Sequence, residues 1–289
     1  MIDVTKLSYA FSGLLYRWWQ KRVCPSCRSG ESHSVDRKGF DHLLRCGGCG
    51  LLYRWPYETQ DAMKRFYQHA YKQAGLTTDL PDAATLKTLI QTGFRDSGKD
   101  FSRVIELLRI LAVKPGARIL DFGANWGYGV WQLREAGFDA IGYELSQPRA
   151  VYSKHLGVEV FTEWSAIVRH GCFDVVFSSH VLEHTPDPAE ALQRQCEILA
   201  SGGILIAYTP NGSAQFFEAY PSAFHKLWGR VHPVILDEVF VRKALVPMPV
   251  AIGAHRPEDL QGFANWDRKT FWTGTLNTSE ILIVSVKRG

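Results

Sequence analysis

The chain of 289 residues has room for one large domain, or for one domain with a small appendage, at roughly 100 to 200 residues per domain. Hydrophobic residues at 46% and charged residues at 21% match ordinary globular usage, which excludes a disordered or collagen-like chain, and no run approaches the roughly 18 apolar residues of a membrane-crossing helix. The net charge of +4, from 33 Lys and Arg against 29 Asp and Glu, is too small to imply a nucleic-acid partner.

That charge is also local. Met1 to Glu58 carries nine basic and five acidic side chains, and the rest of the chain carries 24 of each. Residues 1–22 place Leu7, Phe11, Leu14, Leu15, Trp18 and Trp19 at helical spacing beside Arg17, Lys21 and Arg22. The spacing predicts an amphipathic helix, packed on its own protein in preference to a membrane surface. Residues 23–58 hold two CxxC pairs, Cys24/Cys27 and Cys46/Cys49, with 18 residues between Cys27 and Cys46. That spacing is a four-cysteine zinc signature, and four thiolates around one ion make a closed, structural site. Two disulfides in an exported chain are the alternative use. Met1 to Val23 has neither the compact apolar run nor the small-residue cleavage site of a secretory signal, so the expected compartment is the reducing cytoplasm. Arg28, Arg37, Lys38, Arg45 and Arg54 would give the ribbon a basic face, read here as an accessory docking surface. Residues 59–113 read as a helical linker or lid, through Met63, Phe66, Tyr67 and Tyr71, then a polar connection over Gly75 to Asp82. The two single cysteines, Cys172 and Cys196, are expected to be inert core residues.

Over residues 114–289 short apolar runs alternate with helical text. Arg118 to Phe122, Ala140 to Glu144, Val158 to Phe161, Phe173 to Ser178 and Gly203 to Thr209 read as parallel strands, and Glu280 to Val286 as a last strand inserted beside them. The pattern predicts a doubly wound α/β domain with a Rossmann-like, seven-stranded sheet, whose ligand binds at the carboxyl ends of the strands. Residues 213–275, with Phe216, Phe217, Tyr220, Phe224, His225, Trp228, Phe263, Trp266, Phe271 and Trp272 in loop-like text, read as a substrate cap; at least half of these aromatics are assigned to the core of the cap itself.

The first strand runs into Asp121, Phe122, Gly123, Ala124, Asn125, Trp126, Gly127, Tyr128 and Gly129. Glycines 123 and 127 permit a tight turn that a ligand can approach closely. The loop is DxGxxxGxG, without the Lys-Ser/Thr pair of a phosphate loop, and Glu144 at the end of the second strand can accept both hydroxyls of a ribose.

With these residues in view, ILDFGANWGYG, IGYELS, FDVVFSSHVLEHTPDP and LASGGILIAYTPNG resemble, in order, the motifs of the class I S-adenosylmethionine-dependent methyltransferases, from about Pro115 to Gly289. The resemblance implies that Gly123, Ala124 and Gly127 line the methionine part of S-adenosylmethionine and that Asp121 supports its amino group. Asn125, where many members have glycine, and Leu145 fall in the same cofactor-binding set. Glu144 would grip the ribose, Glu163 and Trp164 would flank the adenine, and Ser179 and His180 would border the sulfonium. The cysteine-rich front end is similar to the layout of methyltransferases acting on sugars and secondary metabolites.

A hydroxyl acceptor needs a general base, or a cation that lowers its pKa. His180, Glu183 and His184 form HxxEH beyond the fourth strand, and His232 follows the fifth. Two functional uses stay open: His184 or His232 as base, or His180, Glu183, His184 and His232 together as ligands of a second divalent cation. A third use is purely structural. Ubiquinone-biosynthesis and small-RNA O-methyltransferases resemble this region with ExxEH and a later His; His180 in place of the first Glu disfavours magnesium. The expected activity is O-methylation of a sugar, a nucleotide-linked sugar or a related small metabolite. An RNA methyltransferase gripping nucleic acid through the ribbon, and a non-catalytic partner in a biosynthetic complex, are the rivals. Homo-oligomer formation stays open.

Overall fold

The computed structural model describes residues 21–57 and 79–288. The expected helix over 1–22, apart from its end, and the helical text around Met63 to Tyr71 lie outside the described residues. Among the described residues no helix is long and apolar enough to cross a membrane.

Five parallel strands build one half of the larger sheet: β4 (Arg118–Phe122), β5 (Asp139–Tyr143), β6 (Val160–Phe161), β7 (Phe173–Ser179) and β8 (Leu199–Pro210). Their near-continuous apolar text follows from burial on both faces. Leu120, Val176 and Leu205 enter one core, and Ile119, Val175, Phe177 and Ile206 enter the other. Helices cover these faces because the sequence caps them. Asp82 accepts from the Thr85 amide at the start of Ala83–Gln91, and Asp187, followed by Pro188, accepts from Ala189 and Glu190 at the start of Pro188–Glu197.

The sheet has eight strands where the sequence pattern predicts seven, in the order β11-β10-β12-β8-β7-β4-β5-β6. The last apolar run, β12 (Glu280–Val286), lies antiparallel against β8. Outside it stand β10 (Val250–Gly253) and the two-residue β11 (Trp272–Thr273). Both fall inside 213–275, so part of the segment read as a substrate cap is sheet. A four-residue, wholly buried strand offers no alternation to read, only a short apolar run. Of the aromatics in that segment, Phe216, Phe224, Trp228, Phe263 and Trp266 are buried and Tyr220 is exposed.

The ribbon is a hairpin of β1 (Ser32–Lys38) and β2 (Asp41–Cys46) followed by β3 (Leu52–Trp55). Its sheet gains a fourth strand from far along the chain, β9 (Val234–Ile235), which pairs antiparallel with β3. Cys24, Cys46, Leu51, Tyr53 and Trp55 share one core with Leu182, Leu192 and Phe240. The basic docking face expected on the ribbon is largely spent on internal ties. Arg45 pairs with buried Asp237, buried Arg54 lies 3.2 Å from Asp41, and the Lys38 amine donates to the Trp228 carbonyl while lying over its ring. A cation beside an apolar surface finds its partner inside the fold as readily as outside it. Of the single cysteines, Cys196 is half-buried and burial pushes its thiol up to about 11, whereas Cys172 is exposed in the turn before β7 and is not a core residue.

Candidate active site

The loop after β4 is closed by backbone hydrogen bonds to the neighbouring strand. The amides of Gly123 and Ala124 both donate to the Tyr143 carbonyl, at 2.8 and 3.0 Å. Gly123 has φ +90°, and a Cβ there would stand 2.3 Å from Val181 Cγ2, so only glycine fits. Gly127, at φ +85°, ends the loop where the helix Tyr128–Glu135 begins. Glu144 straddles the loop: one carboxylate oxygen accepts from the Asn125 amide at 3.1 Å, the other from the Ser146 amide at 2.8 Å, and the Arg149 guanidinium stands 3.9 Å away. Burial raises its pKa against these stabilising contacts.

Asp121 is 4% exposed, and no salt bridge reaches it among the described residues. Burial, with the nearby Glu144 charge added, pushes its carboxyl up to about 7. Two buried carboxylates at the ends of adjacent strands, one without a resident cation, fit a ligand that carries an ammonium and vicinal hydroxyls. That donor set matches the amino acid and ribose ends of S-adenosylmethionine. Ala124 and Asn125 are buried beside them, and Ser179 is half-buried at the end of β7. Leu145 is 71% exposed and Glu163 is exposed. Trp164 packs edge-on against Phe122 and Tyr143, with centroids 5.9 and 5.3 Å apart, in the core on the face away from Asp121.

Beyond β7 the chain makes a single turn, Leu182–His184, that buries Glu183 completely. Glu183 is held by Thr209 Oγ1 at 3.1 Å and by His180 Nδ1 at 3.0 Å. His180, at φ +53° and half exposed, also meets Glu280 through Nε2 at 2.8 Å. Each nitrogen faces a carboxylate oxygen that can only accept, so both carry protons and the ring is an imidazolium. Desolvation opposes that charge, but the hydrogen bonds with Glu183 and Glu280 outweigh it and raise the pKa to about 10. His180, a catalytic candidate by sequence, is therefore occupied between two acids and has no lone pair for a proton or a metal.

His184 and His232 come together from separate loops, ring centroids 4.9 Å apart. His184 Nδ1 donates to the Val231 carbonyl and His232 Nδ1 to the Leu227 carbonyl, each at 2.7 Å. A carbonyl only accepts, so Nδ1 carries a proton in each ring and Nε2 is the nitrogen left to exchange one. Burial lowers the His184 pKa, with His232 adding to the effect against Glu183, so His184 is neutral at pH 7. One ligand atom each from Glu183, His184 and His232 falls within 4.8 Å of the others.

Sequence reasoning missed the neighbours of His180. Arg103 pairs with Glu280 at 2.7 Å and lies over the Tyr208 ring, and the Tyr208 hydroxyl meets His255 Nδ1 at 2.7 Å. Burial, with Arg103 adding to it, holds His255 down at about 4, so this ring is neutral. The first acid of an apolar strand and an Arg in a preceding helix carry no motif, so no local signal marks them.

The four cysteines form a second cluster. Their sulfurs all lie within 4.8 Å, with Cys24 to Cys49 at 3.6 Å and Cys27 to Cys46 at 3.4 Å. A disulfide needs about 2.05 Å, whereas a tetrahedron of zinc thiolates with bonds of about 2.3 Å has edges of about 3.8 Å, so the arrangement fits one zinc ion.

Residues 98–245 match the family model described as a methyltransferase domain. Among curated proteins, the ubiquinone biosynthesis O-methyltransferase of Caulobacter sp. is 30% identical over 105 residues, 33% of this chain and 42% of that protein. The protein of the same name from Nitrosococcus oceani is 27% identical over 171 residues, 52% of this chain and 72% of that protein. The match thus spans less than half the length of the first of these relatives. Among solved structures, the plantazolicin methyltransferase BpumL in complex with SAH is 14% identical with a TM-score of 0.48, over 79% of this chain and 95% of that one. The Synechocystis magnesium protoporphyrin IX methyltransferase ChlM with bound SAM is also 14% identical, with a TM-score of 0.48, over 78% of this chain and 97% of that one. The family match covers half of the chain, including β4, the glycine loop, Glu144 and both histidine loops, and the chain belongs to the methyltransferase domain family.

Proposed function

We propose that this chain transfers a methyl group from S-adenosylmethionine to a hydroxyl oxygen of a small metabolite of the sugar or nucleotide-linked sugar class. The observation that carries the reading is the His184/His232 pair: two imidazoles 4.9 Å apart, each fixed through Nδ1 to a backbone carbonyl and so presenting Nε2 as proton acceptor. S-Adenosylmethionine supplies an electrophilic methyl carbon on a sulfonium. Asp121 holds its ammonium, Glu144 its ribose hydroxyls, and Gly123 and Gly127 admit it against the backbone. His184, kept neutral by burial, takes the acceptor proton as the oxygen attacks, and His232 beside it shares that proton. Zinc in the four-cysteine cluster would touch neither acceptor nor methyl group, since four thiolates leave no open position. A small acceptor is favoured over RNA because Lys38, Arg45 and Arg54 of the ribbon are engaged within the fold. The O-methyltransferase names of the curated relatives support oxygen as the atom methylated.

A second reading is favoured by one observation, the convergence of Glu183, His184 and His232. In it these residues hold a divalent transition metal that lowers the acceptor pKa. The test is release of the demethylated product, S-adenosylhomocysteine, across a panel of hydroxylated metabolites and nucleotide sugars, using the wild type, His184→Gln and His232→Gln. Both variants should keep product affinity and lose turnover by about a hundredfold. Full turnover in both ends the base reading. Activity lost to a chelator that leaves the cysteine-bound zinc in place, and restored by manganese or nickel, selects the metal.

A further inference from the structure

The two histidine loops share an anchor that nothing in the methyl-transfer chemistry calls for. His232 sits in a connection clamped at both ends by the ribbon. Before it, Asp36 of β1 accepts from Trp228 Nε1 at 2.7 Å and from His225 Nδ1 at 2.8 Å, and Lys38 donates to the Trp228 carbonyl. After it, the Arg54 amide donates to the Pro233 carbonyl at 2.7 Å, and β3 pairs with β9 through Tyr53 to Val234 and Leu52 to Ile235. The residues just beyond are tied as well, by Arg45 to Asp237 and by Lys243 to the Gly48 carbonyl between Cys46 and Cys49. His184 is held from the other side. Ser26, inside the first CxxC, donates to the Asp187 carboxylate at 2.7 Å, and Asp187 also caps the helix that follows the His184 turn.

We propose that the cysteine ribbon is a positioning element of the active site, and that the metal closing its two CxxC turns sets the separation of the His184 and His232 rings. The first CxxC turn holds the His184 loop through Ser26, and the second leads directly into β3, which holds the His232 loop. Within these turns only Cys24, Pro25 and Cys46 are buried, so their shape depends on four sulfurs sharing one ion. Turn geometry passes to Asp187 and to β9 through hydrogen bonds, and from there to the two rings. The amides of Gly123, Ala124 and Asn125 in the cofactor loop donate instead to Tyr143 and Glu144 at the end of the neighbouring strand. Ribbon and cofactor site are therefore separable: disturbing the ribbon moves the histidines and leaves the nucleotide pocket alone. The proposal shares the site of the methyl-transfer reading, and its test includes a readout independent of turnover.

The test uses the full chain loaded with zinc, the chain after chelation, and Ser26→Ala, which deletes one tether while all four thiolates stay. Three quantities are measured: calorimetric affinity for S-adenosylhomocysteine, kcat and KM for S-adenosylmethionine, and the carbon-13 ring signals of labelled histidines. His184 and His232 are assigned by loss of their signals in His184→Gln and His232→Gln. In Ser26→Ala the expected result is a shifted His184 signal, kcat lower by about tenfold, and KM and product affinity within about twofold of wild type. Zinc release should shift both ring signals. If zinc release unfolds the chain, product binding disappears with it, and Ser26→Ala decides alone. Unmoved His184 signals in Ser26→Ala, or a loss of product affinity as large as the loss of kcat, would overturn the proposal. Signals that move as expected in a protein that methylates no acceptor uphold the positioning role and reject the methyl-transfer reading.

Discussion

Replacing Asp121 by Asn tests the cofactor pocket, because the carboxyl is buried, has no cationic partner among the described residues and is pushed from 3.8 up to about 7. The folded chain holds this proton up to about pH 7, and the unfolded chain only up to about 3.8. The folded state therefore binds more protons between those values, and stability falls as pH rises through that window. At about 1.36 kcal/mol for each pKa unit, the ceiling on the loss is about 4 kcal/mol, and Asp121→Asn should recover part of it above pH 7. A bound ammonium requires the charged carboxylate, so ligand binding must expel the proton. With a pKa near 7, about nine-tenths of a proton is released at pH 6 and about one-tenth at pH 8, and affinity rises about tenfold across that range. Calorimetry of S-adenosylhomocysteine binding in buffers of different ionisation enthalpy measures both quantities. The variant should bind weakly and release no such proton. Equal heats in all buffers at pH 6, with an affinity flat from pH 6 to pH 8, would refute the pairing of Asp121 with the ligand's amino group.

Gly123→Ala should destabilise the chain by about 1–3 kcal/mol, since its Cβ meets Val181 at 2.3 Å in a backbone with φ +90°. Adding Val181→Ala should recover the steric part and leave the backbone part; urea unfolding of the two variants measures each. For His180, whose pKa rises from 6.5 to about 10, the stabilising contribution is complete below pH 6.5 and disappears as pH climbs through 10. Thermal melts of wild type and His180→Gln should therefore differ at pH 6 and converge above pH 10; a constant difference would remove the imidazolium between Glu183 and Glu280.

The sheet was legible because buried parallel strands write themselves as apolar runs. Arg118–Phe122 and Glu280–Val286 have the same bounds in the sequence reading and in the structure. Val250–Gly253 escaped because four buried residues between a proline and a histidine-containing turn resemble loop text. That Asp121 and Glu144 end adjacent strands and that the four cysteines converge was legible through spacing, because each set lies within one short stretch of chain. The partners of His180 were not, since Glu280 is a hundred residues away and reaches His180 only because β12 lies antiparallel on β8. The ribbon's cations show the same limit. Composition located the surplus charge at the front of the chain, but which acids and carbonyls absorb it depends on contacts with Trp228 and Asp237.

By itself, then, the sequence determined the α/β class, the glycine loop with its two acids, the metal-type cysteine spacing and the two histidine loops. Each of these is encoded in local periodicity or short spacing, where steric and hydrogen-bonding demands act between near neighbours. Only the tertiary structure decided that His180 is an imidazolium locked between acids and that His184 and His232 face each other. It alone decided, too, that the ribbon strand Leu52–Trp55 pairs with Val234–Ile235, just past His232. Those outcomes depend on which distant strands pair and on which charges lose water together, and neither quantity is a property of any short stretch of chain.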